Sequence, residues 1–122
     1  MRDKATVLGH ARTDVSGMSL LWDQSLIRRR ADRLGFDFAD MIVFDPRFGR
    51  PPLARLKAQA TRLDAEAVIV PSVEHFEGRQ VPISLLHKLD VFTVDPEETY
   101  ARHPMPPFRD PGSQYSCGGG TR

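Results

Sequence analysis

Val7-Leu8-Gly9-His10-Ala11-Arg12-Thr13-Asp14 decides how this chain reads: a short apolar run gives way to a polar turn carrying one arginine and one carboxylate. The apolar atoms of Ala5, Val7 and Leu8 predict a buried strand over residues 4–9, in which Gly9 lets a neighbour come close to the backbone. In open α/β sheets ligands gather outside the carboxyl ends of strands. The polar segment that follows, residues 10–18, is therefore where function is expected.

Working outward, the same alternation repeats. Leu20, Leu21, Ile27, Ala31 and Leu34 recur at helical spacing, with Ser19 as the expected N-cap and Gly35 as the left-handed terminator, so a helix is predicted over residues 20–34. Arg28, Arg29, Arg30 and Arg33 fall in its last half, where they suit the negative end of the helix dipole; a phosphate-binding face is the alternative. Met41-Ile42-Val43-Phe44 is a second strand, stopped by Asp45-Pro46. Pro51-Pro52 open a second helix, over about residues 52–63, striped with Leu53, Leu56, Ala60 and Leu63. Ala67-Val68-Ile69-Val70 is the third strand, residues 82–88 a short helix, and Val91-Phe92-Thr93-Val94 a fourth strand. Strands alternating with helices imply right-handed crossovers. The expected fold is a three-layer α/β/α sandwich around a mostly parallel four- to five-stranded sheet, over residues 1–98. Residues 99–122, with Pro104, Pro106, Pro107, Pro111 and Gly118-Gly119-Gly120, are expected to be a Pro/Gly-rich flexible tail.

Composition bounds the function. The chain has 122 residues, enough for one core, with 40% hydrophobic and 27% charged residues, which are globular values. A net charge of +1 gives no global attraction to nucleic acid, so any such contact needs a local patch. No stretch approaches the ~18 apolar residues of a membrane helix, and a cytoplasmic address without membrane contact is the expectation. Cys117 is the single cysteine, and His10, His75, His87 and His103 show no close ligand spacing, so neither a metal nor another cofactor is expected.

Four segments, in order, carry a resemblance. Gly-His-Ala-Arg-Thr-Asp (9–14) is similar to the Tyr-x-Arg-Val-Ser opening of the serine recombinase (resolvase/invertase) catalytic domain. Leu21-Trp22-Asp23-Gln24 resembles that family's Ser-Leu-x-x-Gln stretch, and Phe48-Gly49-Arg50-Pro51-Pro52-Leu53 its Ser-Gly-Arg-x-x-Leu segment. Val68-Ile69-Val70 with Val73-Glu74-His75-Phe76-Glu77-Gly78-Arg79 resembles its strand followed by Leu-Asp-Arg-Leu-Gly-Arg. The resemblance spans residues 4–96 and implies a resolvase-like fold, with Arg12, Arg50, Arg79 and Gln24 at phosphate-contacting positions and His10, Glu74 and His75 around the pocket.

In that family a serine attacks a DNA phosphodiester, and arginines neutralise charge on the phosphoryl oxygens. Arginine suits this because its fork meets phosphate bidentately and stays charged. Here the serine position reads Asp14, a carboxylate that opposes an incoming phosphate by about 4 kcal/mol at ~4 Å in an effective dielectric of ~20. The aspartate and arginine of the third loop read Glu74 and His75, the opening tyrosine reads His10, and Glu77 is one residue extra. Where that family continues into a long dimerising helix and a DNA-binding region, this sequence runs into a proline-rich segment, from which neither is expected to form. The expectation is a domain that has lost strand cleavage and acts as a binding or regulatory module, touching DNA through phosphates or meeting a protein partner or a second copy of itself. Two alternatives stand beside it. Val15-Ser16 also spells the family's Val-Ser pair, making Ser16 the nucleophile of an active strand-cleaving fragment, against a reading of Ser16-Gly17 as a simple turn. A flavodoxin- or receiver-like module, unrelated to DNA, would instead use Asp14, Asp45 and Glu74 as an acidic pocket.

Overall fold

The computed structural model describes residues 4–47 and 53–102. It is an α/β structure built on a five-stranded sheet of order β2-β1-β3-β4-β5. β1 is Thr6–Arg12, β2 Asp37–Phe44, β3 Ala67–Val70, β4 Asp90–Thr93 and β5 Glu98–Tyr100. The first four are parallel and β5 returns antiparallel to β4. A single helical turn, α1 (Thr13–Ser16), and a 3-10 turn, Gly17–Ser19, lead from β1 into α2 (Leu20–Arg33). α3 (Leu53–Leu63) and α4 (Ile83–Leu86) complete the helices.

Alternation along the inner strands sorts the core into two layers. Val7 of β1, with Ala67 and Ile69 of β3, meets Ile27 and Ala31 of α2, and Phe36, Phe38 and Phe92 close that side. Leu8, Val68, Val70 and Val91 meet Leu56 and Ala60 of α3 and Leu85 and Leu86 of α4 on the other. The sheet is thus covered on both faces, as the alternating elements predict.

Both long helices end as their sequences allow. Gly35 takes φ +78° after α2, with Phe36 N–H donating to Ala31 O at 2.9 Å and Gly35 N–H to Asp32 O at 3.1 Å, a Schellman closure. Asp64 plays the glycine's part after α3 at φ +56°, with Ala65 N–H on Ala60 O at 2.8 Å. The start of α2 differs from expectation: Ser19 makes no side-chain cap, because the preceding 3-10 turn already winds the backbone into the helix.

Three boundaries differ from the sequence reading for a common reason, that pairing overrides local polarity. β1 runs to Arg12, not Gly9, since His10, Ala11 and Arg12 pair in register with Ile42, Val43 and Phe44. β2 starts at Asp37, ahead of its apolar run, because Asp37 and Phe38 pair with Thr6 and Val7 across a register shift. Glu98–Tyr100 has no strand-like pattern, yet it pairs with residues 91–93. There Thr93 anchors the turn, donating from Oγ1 to Pro96 O and accepting Glu98 N–H at 3.1 Å. The tail expected over 99–122 therefore begins with two residues of β5, Thr99 and Tyr100, and residues 103–122 lie outside the described residues.

Gly9 has the close approach expected of it, to side chains packed on the sheet. A Cβ there would lie 2.9 Å from Ile27 Cγ2 and 2.7 Å from Met41 Sδ. The thioether end of Met41 can swing aside, but the branched Ile27 is fixed on α2. Gly9→Ala is expected to lower stability by about 1–3 kcal/mol, measured as a shift in the urea midpoint; an unchanged midpoint would contradict this packing.

Candidate functional site

The connection from β1 goes to one neighbour, β2, and the chain later returns on its other side as β3, so the strand order reverses at β1. Ligand crevices in such sheets lie at that reversal, outside the carboxyl ends. Here these ends are Arg12, Phe44 and Val70.

Arg12 joins two of the loops. Its backbone N–H donates to His75 Nδ1 at 2.9 Å, tying β1 to the 3-10 turn Val73–His75 that follows β3. Its guanidinium lies 5.5 Å over the Phe44 ring. It grips Asp14 with both prongs, Nε to Oδ1 at 3.0 Å and Nη2 to Oδ2 at 3.0 Å. This hydrogen-bonded arginine holds the Asp14 carboxyl below the usual carboxylate range. The second loop is closed similarly: Arg47 grips Asp45 through Nε at 3.1 Å and Nη2 at 2.8 Å, and Asp45 titrates at about 2, helped by its backbone bond to Arg47 and by Thr13.

Two histidines stand behind these charges, both buried. By accepting from Arg12, His75 Nδ1 must be unprotonated, which puts the ring proton on Nε2. Burial lowers its pKa, against the raising influence of Asp23, Asp14 and Glu74. His10 stacks on Phe76, ring centres 5.9 Å apart, with Nδ1 3.3 Å from Ile42 O and Nε2 lacking a partner. Burial drives its pKa from 6.5 to about 4, only partly offset by the Ile42 carbonyl.

Ser16 is buried, and its hydroxyl donates to Asp23 Oδ2 at 2.6 Å. The bond runs from the end of α1 to the first turn of α2, across Gly17 at φ +54°. Ser16 and the Arg12 guanidinium therefore serve different carboxylates. Gln24 is half-buried one residue beyond Asp23, and Glu74 is exposed with its N–H on Ser72 Oγ at 3.3 Å. Arg79 is exposed on the 3-10 turn Glu77–Arg79, and among the described residues the ion pair to Asp14 comes from Arg12 and not from Arg79. Arg50 lies outside the described residues. Asp23 is a member of this group that sequence reasoning left unassigned. Its position in the first helical turn was visible as a dipole-favoured carboxylate, but its bond back to Ser16 depends on the Gly17 turn.

Of the three carboxylates of an acidic pocket, Asp14 and Asp45 are each matched to an arginine and Glu74 faces solvent. Among the described residues no group of three His, Cys, Asp or Glu side chains is placed to hold a metal ion, and no helix is long and apolar enough to cross a membrane. No family model and no curated protein matches this chain.

The buried histidines make the fold acid-sensitive. The unfolded chain takes up a proton on His10 near pH 6.5, whereas the folded ring resists until about 4, so this stability is present above 6.5 and is lost as pH falls towards 4. His75 acts in the same direction. Wild type is expected to lose about 3 kcal/mol more than His10→Phe between pH 7 and pH 4, measured by denaturant melts. Parallel pH profiles would contradict the assignment.

Proposed function

We propose that the chain is a serine-recombinase-like domain that has given up strand cleavage and works as a binding module, contacting the DNA backbone from the carboxyl end of its sheet. The observation that carries this reading is the bidentate Arg12–Asp14 pair. At the position that the resemblance assigns to a nucleophilic alcohol stands an anion, and the arginine matched to the family's phosphate contact is engaged with it. Both Asp14 oxygens accept from the Arg12 guanidinium, so neither is free for attack on phosphorus, and the carboxylate repels an incoming phosphate.

Binding is supported by what surrounds the pair. Val15, Met18, Leu21 and Trp22 are large apolar side chains exposed along the α1–α2 approach. Exposed apolar side chains grouped on one segment mark a surface that meets another macromolecule, and they supply no phosphate contact themselves. The resemblance to a DNA-acting family selects the partner, with Arg50, Arg79 and Gln24 as phosphate contacts and Arg12 held back from that role by Asp14.

The second reading, a strand-cleaving fragment using Ser16, is favoured by one observation, the short bond that aims the Ser16 hydroxyl at a carboxylate. A serine activated this way would need a phosphate brought to it, and Arg12 is committed elsewhere.

Trp22 is the single tryptophan and exposed near these loops, so its emission reports directly on a bound duplex. Titration with non-specific duplex is expected to change Trp22 fluorescence with an affinity that falls with salt, by about 0.9 in log–log slope per phosphate neutralised. Incubation with supercoiled plasmid is expected to give no covalent protein–DNA adduct. An adduct abolished by Ser16→Ala would overturn the loss of cleavage, and a flat titration at low salt would overturn the DNA contact.

A further inference from the structure

A second cluster of arginines lies apart from the Arg12 group. Arg29, Arg30 and Arg33, on the carboxyl-terminal half of α2, line a cavity of ≈ 140 Å³ with Leu26, Val94 and Glu97. Glu97 is the carboxylate among those lining residues, with Oε2 2.6 Å from Arg33 Nη2 and Oε1 3.7 Å from Arg30 Nη1. The Arg33 bond holds its carboxyl below the usual range.

A structural strap accounts for part of this arrangement, since Glu97 ties the β4–β5 turn to α2. It leaves the rest unexplained. Three arginines and one carboxylate line the cavity, and Arg29 has no ion-pair partner among the described residues. The Arg30 side chain is 11% exposed, and its Nε is buried with no acceptor. Glu97 thus leaves the Arg30 guanidinium incompletely satisfied. The negative end of the α2 dipole opposes an anion here by only a fraction of a charge, which the excess of guanidiniums outweighs. The volume is well below the roughly 300–1,000 Å³ of sites for drug-sized molecules, so the cavity suits a single compact anionic group.

We propose that the Arg29–Arg30–Arg33 cleft binds a phosphate dianion, with the Glu97 carboxylate occupying its seat until the ligand displaces it. Phosphate offers acceptors to several guanidinium prongs at once. Glu97 has a half-exposed side chain on a surface turn and can swing into solvent. None of these residues belongs to the Arg12 group, so the inference stands independently of the DNA reading.

The test is calorimetric titration of the full chain with inorganic phosphate, and separately with a simple alkyl phosphate monoester, at fixed low ionic strength. Phosphate is expected to bind saturably. Glu97→Gln should tighten binding by roughly fivefold or more by removing a like charge, and Arg30→Gln should abolish it. Arg33→Gln should weaken binding by a similar factor, and since this side chain is 55% exposed the variant keeps the fold. A monoester that binds as tightly as phosphate or tighter assigns the cleft to a phosphorylated small molecule, and a weaker one assigns it to the free anion. Absence of saturable phosphate binding to Glu97→Gln at millimolar concentration overturns the proposal, as does an affinity indifferent to Arg33→Gln.

Discussion

An inner strand that ends in polar residues must satisfy them from within, and β1 does so through the hydrogen bond from the Arg12 backbone to His75. That bond requires a neutral imidazole presenting a bare nitrogen, and burial supplies one by holding the ring's pKa down. With the backbone fixed to the loop after β3, the guanidinium is directed over Phe44 and onto Asp14. Phe44 is also the register partner of Arg12, so the same pairing that lengthens β1 places the aromatic ring. Strand register, histidine protonation and the orientation of the arginine are thus one arrangement.

Around it, charge is neutralised locally. Arg12 meets Asp14, Arg47 meets Asp45, and Arg30 and Arg33 meet Glu97. The pairs whose two partners are both open to solvent, such as Arg33–Glu97, add little to stability. Their effect is on what the surface presents: the ends of β1 and β2 show closed ion pairs, whereas the α2 cleft keeps an excess of positive charge around an unsatisfied donor. Opposite roles for two arginine clusters in one small domain follow from how many carboxylates reach each.

The layers of the fold were legible because they rest on local pattern. Ala67–Val70 is apolar, β-branched and bracketed by polar residues, and it forms the strand over those same positions. Gly35 terminates α2 as its lack of a Cβ allows. What escaped was set by distant partners. His10 and Arg12 read as loop because they are polar, and only pairing with Ile42 and Phe44 makes them strand. Glu98–Tyr100 carries no apolar run and becomes a strand because β4 offers an edge. Within the site, Asp14 on Arg12 was readable from a two-residue spacing, but Ser16 on Asp23 needed the Gly17 turn, and Glu97 on Arg33 spans 64 residues. The arginines of α2 suit its dipole, yet their placement around one cavity appears only when the β4–β5 turn folds against the helix.

The central claim is that Asp14 keeps the Arg12 guanidinium from an incoming phosphate. The most direct measurement compares the salt dependence of duplex affinity for wild type and Asp14→Asn, which leaves shape nearly unchanged and removes the competing charge. If the carboxylate masks the arginine, the variant binds more tightly and its log–log slope steepens by about 0.9, one more neutralised phosphate. An identical slope and affinity in the two proteins would contradict the account.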